Sequence, residues 1–201
     1  MIDTVISDLG QVLLHFDNSL FLRRMMAYTA RPVEVIRAVT HHNTELLGLF
    51  DKGMISPEEF HARAAAALDA RIGFDEFYAA YNDVFTINGP ALDAVRRLKP
   101  GAKLALLSNC DVMRYSYIER RFPELRFFDA YVLSFRLGVM KPDPRIYWEA
   151  LRLTGSRPEN TLFIDDIRAN VEGAERLGIK GVLYAPGTDL GAELAKFGLG
   201  A

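Results

Sequence analysis

Short apolar runs alternating with helix-length segments predict an α/β fold with a doubly wound parallel sheet. Three observations carry this. Runs rich in β-branched and apolar residues recur at residues 4–7, 103–107, 130–134, 161–164 and 181–184, each of strand length and poorly alternating, as strands buried on both faces are. From residue 90 onward the gaps between them hold segments with apolar residues three or four apart. The chain has 201 residues, half of them apolar, enough to bury a sizeable core.

The elements follow in order. The first strand, residues 4–7, leads into TVISDLGQVLLHFD, an apolar run broken by Asp8 and Gly10. From residue 18 to residue 88 the patterning is helical only, at residues 20–28, 32–40, 44–50, 57–68 and 74–85. Ser56, Pro57 and Glu59 supply an N-cap, a first-turn proline and a capping-box glutamate for the fourth of these. A single strand-to-helix crossover needs far less chain. Residues 18–88 are therefore expected to form an inserted helical cap over a core made of residues 1–17 and 89–201. The cap would sit above the carboxyl ends of the strands, where open α/β sheets bind ligands. Helices expected at 90–98, 112–122, 144–153 and 168–177 then alternate with the remaining strands.

Charge and composition exclude several classes. With 24 Lys and Arg against 26 Asp and Glu and no basic block, no nucleic-acid partner is expected, while a small anionic substrate needs only a few local cations. The start MIDTVISDLG lacks a basic, long-apolar leader, and no apolar stretch is long enough to span a bilayer, so no membrane partner is expected. Cys110 is the single cysteine, which rules out an internal disulfide and fits a reducing, cytoplasmic location. Oligomeric state has no signature in the sequence.

Chemistry-bearing residues concentrate at four strand ends: Asp8 after the first; Ser108 and Asn109 after LALL; Lys141 in GVMKPDP; Asp165, Asp166 and Asn170 in LFIDDIRAN. In a parallel sheet these ends converge. Three carboxylates at close range repel one another and take up protons unless a cation neutralises them. Mg²⁺ suits such a site, because it uses one or two protein carboxylates and keeps other positions for water and substrate phosphate. Lys141 adds a second positive centre, and the Ser108 hydroxyl with backbone N–H groups at the start of the next helix makes a phosphate cradle. A carboxylate aimed at a phosphorus held this way is a nucleophile, giving a covalent aspartyl phosphate that water then hydrolyses.

The ordered set DLGQV, LLSN, GVMKPDP and IDDIRAN resembles the haloacid dehalogenase-like superfamily over essentially the whole chain, with the helical cap between its first two motifs. It is most similar to the branch holding sugar-phosphate phosphatases and the amino-terminal phosphatase domain of soluble epoxide hydrolases. The resemblance implies that Asp8 is the nucleophile, that Ser108 and Asn109 hold the phosphoryl group or leaving oxygen, and that Lys141 neutralises charge. It further implies Mg²⁺ held by Asp8, the Gly10 carbonyl and Asp166, with Asp165 acting directly or through water. Most phosphatases of the superfamily carry an acid where this chain has Gly10, so the carbonyl ligand is kept and the usual proton shuttle is lost. His15 and Asp17 are candidates to replace it, against plainer readings as a loop histidine and a helix cap.

Other residues read as structural. Cys110 has no positioned histidine and reads as a small buried hydrophobe. His41 and His42 are consecutive on an expected helix, face different directions and make a poor metal pair. Phe50, Phe60, Tyr78, Tyr81 and Phe85 read as cap core, one or two of them lining a substrate entrance. Asn170 reads as orienting the acidic loop. Three functions stay open: Mg²⁺-dependent hydrolysis of a small phosphorylated metabolite, possibly a sugar phosphate; 2-haloacid dehalogenation, against which the doubled acid at Asp165 and Asp166 argues; and a catalytically idle binding protein.

Overall fold

The computed structural model describes residues 1–40 and 45–200, so His41 and His42 lie outside the described residues. The strands, in chain order, are β1 (Thr4–Ser7), β2 (Leu14–Phe16), β3 (Phe85–Ile87), β4 (Lys103–Ser108), β5 (Ala130–Leu133), β6 (Thr161–Asp165) and β7 (Lys180–Leu183). The helices are α1 (Asn18–Met25), α2 (Val33–Thr40), α3 (Glu45–Asp51), α4 (Pro57–Leu68), α5 (Phe74–Asn82), α6 (Gly89–Arg96), α7 (Val112–Arg121), α8 (Ser134–Leu137), α9 (Pro144–Thr154), α10 (Arg168–Glu175) and α11 (Leu190–Ala195).

Five strands form the predicted parallel sheet, in the order β5-β4-β1-β6-β7. Alternate side chains of each strand enter different cores, which is why the runs are apolar throughout. Val5, Leu104, Leu106, Leu162 and Ile164 pack with residues of α6, α7 and α11, such as Val95, Ile118 and Leu194. Ile6, Ala105, Leu107 and Phe163 pack with Ile146, Tyr147 and Ala150 of α9 and Ala174 of α10.

Helices α1 to α5 share a third core, in which Phe50 stacks on Phe60 with ring centroids 4.3 Å apart and Phe21 meets Phe77 edge-on at 5.8 Å. Met113 of α7 belongs to this core as well. Ser56 caps α4 by accepting from the Glu59 N–H at 3.1 Å.

Three features depart from the sequence expectation, the first being helix α8, which starts at Ser134, the last residue of the expected strand 130–134. The segment 18–88 is not purely helical: α5 stops at Asn82, and β3 pairs antiparallel with β2, Leu14 opposite Ile87 and Phe16 opposite Phe85. Three residues are too few for alternation to register against the flanking helical period, and the ribbon depends on a partner some seventy residues away. Helix α11 was not anticipated either; Asp189 caps it by accepting from the Ala192 N–H at 3.1 Å.

Candidate active site

Parallel register brings the strand ends together. Asp8 directly follows β1, the central strand, and its N–H bonds the Ile164 carbonyl of β6 at 2.8 Å. Ser108 and Asp165 are the last residues of the two flanking strands. Lys141 comes from the loop after α8, with a cis peptide bond to Pro142. Its ammonium is buried and lies 2.7 Å from both Asp8 Oδ1 and Asp165 Oδ2, while also donating to the Leu107 carbonyl at 3.1 Å. Asn109 clamps the backbone that delivers this lysine: its Oδ1 accepts from the Lys141 N–H at 2.8 Å and its Nδ2 donates to the Lys141 carbonyl at 3.0 Å. Asn170 donates to both Asp165 oxygens, at 3.0 and 3.2 Å, and the Ile167 N–H reaches Asp165 Oδ1 at 2.8 Å.

Oxygens of Asp8, Asp165 and Asp166 lie within 4.8 Å of one another. Three carboxylates against the single Lys141 ammonium leave two surplus negative charges, a donor set of hard oxygens that fits one divalent ion. The electrostatics express the same surplus. The Asp8 carboxyl is raised to about 7, chiefly by burial and further by Asp165, with Lys141 pulling against the rise. Burial and then the Asp165 charge also raise Asp166. Burial alone would lower Lys141, but Asp8 and Asp165 together hold it above its ordinary range.

Asp8, Ser108, Asn109, Lys141 and Asp166 form the floor of a cavity of about 380 Å³ whose walls include Phe16, Leu47, Phe85 and Met140, with Asp165 buried beneath it. Gly10 lines it too. A Cβ at Gly10 would meet Phe16 Cε1 at 3.2 Å, so the Phe16 ring takes the space beside the position where an acid would start. Gly10 is not in the left-handed region; the neighbouring Gln11 is, at φ 54°. Asp17 caps α1, Oδ1 accepting from the Ser19 N–H at 2.9 Å, and is exposed, as is His15 on β2. Neither lines the cavity. The helix after Asn109 is less free than expected as an anion cradle: the Cys110 N–H goes to Ser134 Oγ at 2.9 Å and the Arg114 N–H to the capping carboxylate of Asp111 at 2.9 Å.

The model of the haloacid dehalogenase-like hydrolase family matches residues 2–178. The chain is a haloacid dehalogenase-like hydrolase. It is 24% identical to D-ribitol-5-phosphate phosphatase of Bacteroides thetaiotaomicron, over 96% of this chain and 97% of that one. Among solved structures it resembles a haloacid dehalogenase family enzyme from Bacteroides thetaiotaomicron in complex with magnesium and inorganic phosphate, with a TM-score of 0.85 at 24% identity over 96% and 99% of the two chains. It also resembles a predicted hydrolase of this type from Porphyromonas gingivalis, with a TM-score of 0.82 at 29% identity over 98% of each.

In this hydrolase the upper cavity holds charges that sequence patterning had not singled out. Asp51, at the end of α3, and Arg114, in the first turn of α7, both line it. Asp51 is fixed by its backbone: Ser134 Oγ donates to the Asp51 carbonyl at 2.6 Å. The turn that follows requires Gly53, at φ +66°, where a Cβ would lie 2.2 Å from the Phe135 carbonyl oxygen. Arg114 Cζ sits 4.3 Å from the Tyr81 ring centroid, Nη2 donates to Asn18 Oδ1 at 3.2 Å, and Tyr81 Oη donates to Asp111 Oδ2 at 2.9 Å. Burial, then repulsion from Asp111, pushes Asp51 up to about 7, Arg114 opposing the rise. Tyr81 and Phe85 line the cavity, whereas Phe50 and Phe60 are buried in the helical core. Cys110 is buried, and its thiol is pushed well up by burial and by the charges of Asp111 and Asp51, unsuited to nucleophilic work.

Proposed function

We propose that this hydrolase is a Mg²⁺-dependent phosphatase that cleaves a small phosphorylated metabolite through an aspartyl phosphate on Asp8. The observation that carries the reading is the buried lysine 2.7 Å from two of three clustered carboxylates, at the floor of a cavity large enough for a small organic phosphate. The similarity to D-ribitol-5-phosphate phosphatase over nearly the full length of both chains supports it.

Asp8 attacks phosphorus, the bond from phosphorus to the ester oxygen breaks, and the departing alkoxide takes a proton from water, since Gly10 offers none. Water then attacks the phosphorus of the aspartyl phosphate, releasing phosphate and restoring the Asp8 carboxylate. Lys141 favours the ionised form of Asp8 and offsets charge on the phosphoryl oxygens. Ser108 lines the floor as a hydroxyl donor, and Asn109 keeps a second Nδ2 hydrogen beyond the one given to Lys141. Mg²⁺ would be held by Asp8, the Gly10 carbonyl and Asp166, and supplies charge neutralisation when bound. Asp165, whose oxygens already accept from Lys141, Asn170 and Ile167, would act through water. Residues 18–88 serve as the cap, which keeps bulk water out and selects the organic part. Dehalogenation is disfavoured, because the surplus negative charge would repel a haloacid carboxylate.

Phosphate release from phosphorylated metabolites is expected with Mg²⁺ and not in excess chelator; full activity in chelator overturns the reading. Asp8→Asn should abolish turnover and the phosphate adduct seen by intact-protein mass spectrometry, while phosphate binding persists.

A further inference from the structure

We infer that Asp51 and Arg114 form the subsite that reads the organic part of the substrate, and that this part is an uncharged, polyhydroxylated carbon chain. The inference rests on the phosphatase reading and deepens it.

Both residues line the cavity whose floor is Asp8 and Lys141, and both have hydrogen-bonding capacity to spare. Asp51 is 7% exposed, yet its carboxylate accepts no hydrogen bond among the described residues. Of the Arg114 guanidinium nitrogens, Nη2 donates to Asn18, Nε is buried 3.9 Å from Asp111 Oδ2, and Nη1 donates to no group among the described residues. Polar groups that face a cavity in this state are completed by whatever occupies it, water or ligand. The two groups are also held in place before any ligand arrives. The Arg114 guanidinium lies over Tyr81 and is tied to Asn18, and the Ser134 hydroxyl that receives the Cys110 N–H is the one that holds the Asp51 backbone.

The pairing of a donor fork with a carboxyl group selects the ligand's chemistry. A hydroxyl both donates and accepts, so neighbouring hydroxyls can satisfy Asp51 and Arg114 together. A second anionic group is disfavoured, because Asp51 and Asp111 already place two carboxylates around one guanidinium. A purely alkyl chain would offer neither side chain a hydrogen-bond partner. Phe16, Leu47 and Phe85 supply apolar wall for the carbon–hydrogen faces of a polyol.

The test uses the Mg²⁺-loaded protein with D-ribitol 5-phosphate, 2-phosphoglycolate, geranyl phosphate and p-nitrophenyl phosphate. The wild type should prefer the polyol phosphate. Asp51→Ala and Arg114→Met should each lower the ratio of kcat/KM for D-ribitol 5-phosphate over p-nitrophenyl phosphate about tenfold or more. Asp51→Asn, which keeps the side chain's shape, should fall between, and melting curves confirm that each variant is folded. A preference for 2-phosphoglycolate or geranyl phosphate, or ratios within about twofold of wild type in folded variants, overturns the inference. Calorimetry in an Asp8→Asn background separates the two readings. There D-ribitol 5-phosphate should bind more tightly than inorganic phosphate, and Asp51→Ala should remove that margin. If no phosphomonoester is hydrolysed but the margin exists and is removed, the phosphatase reading fails and the subsite stands; if no margin exists, the subsite fails.

Discussion

Replacing Asp51 by asparagine should stabilise the protein, increasingly so as pH rises. Asp51 is buried beside Asp111, the cap of α7, Arg114 of α7 and Tyr81 of α5, and has its carboxyl pushed up to about 7 from 3.8. Because the folded-state value is the higher one, the folded protein holds a proton that the unfolded chain has already lost. Stability therefore falls as pH rises from about 4 to about 7 and is level above that. At 1.36 kcal/mol per unit, the cost to the wild type is about 4 kcal/mol at pH 8 and about 2 kcal/mol at pH 5. Side-chain relaxation and water entry on ionisation reduce the difference between the two to about 1 kcal/mol or slightly more. For a chain of 201 residues that corresponds to about 2–4 °C per kcal/mol. The melting temperature of Asp51→Asn should thus exceed that of the wild type by several degrees at pH 8, the gap narrowing by about 3 °C toward pH 5. Calorimetric melts of both proteins at unit pH steps give the comparison. Parallel profiles, or a gap that widens toward low pH, would refute the reasoning.

Lys141→Met leaves Asp8, Asp165 and Asp166 without their ammonium and should cost about 3–5 kcal/mol, with Mg²⁺ restoring part of it; urea unfolding with and without the ion measures both. Asp166→Asn should weaken Mg²⁺ binding at least tenfold by calorimetry while leaving the melting temperature unchanged or slightly higher, because it removes one of three mutually repelling charges. Gly10→Asp should speed loss of the phosphoenzyme about tenfold or more in single-turnover experiments, since it supplies the absent proton transfer. The Phe16 ring must give by a few tenths of an ångström to admit the new side chain, but no left-handed backbone stands in the way. A folded, Mg²⁺-binding Gly10→Asp protein with unchanged dephosphorylation would mean that proton transfer does not limit the reaction.

The sheet was legible because its signal is local and redundant: five apolar runs, each with helical period beside it, allow few arrangements. The floor of the site was legible for Asp8, Ser108 and Asp165 because strand ends in a parallel sheet converge; Lys141 reaches them instead from the loop after α8, which Asn109 clamps. Asp51 and Arg114 were not legible. Each looks like an ordinary charge on a helix, and only the docking of α3 against Ser134 and of α7 against α5 turns them inward. A local hint existed in Asp111 and Arg114, a capping acid with a base three residues on, but that pattern is common on solvated helices. Gly10 itself needs no left-handed backbone. The chain places its positive φ at Gln11, and the glycine serves instead to make room for Phe16.

Helix α7 is a shared girder. Its Met113 is buried among the aromatics of the helical segment, while Tyr115 and Ile118, on the same helix, are buried against the sheet. The chain crosses between the two layers at the β2–β3 ribbon, yet this side chain binds them a second time, without any covalent link. The consequence concerns modularity. A helical segment cut at residues 18 and 88 and transplanted onto another scaffold would lose a residue of its own core, and the host left behind would carry an apolar methionine on its surface. Recombination between relatives should therefore succeed only where α7 travels with the helices it supports.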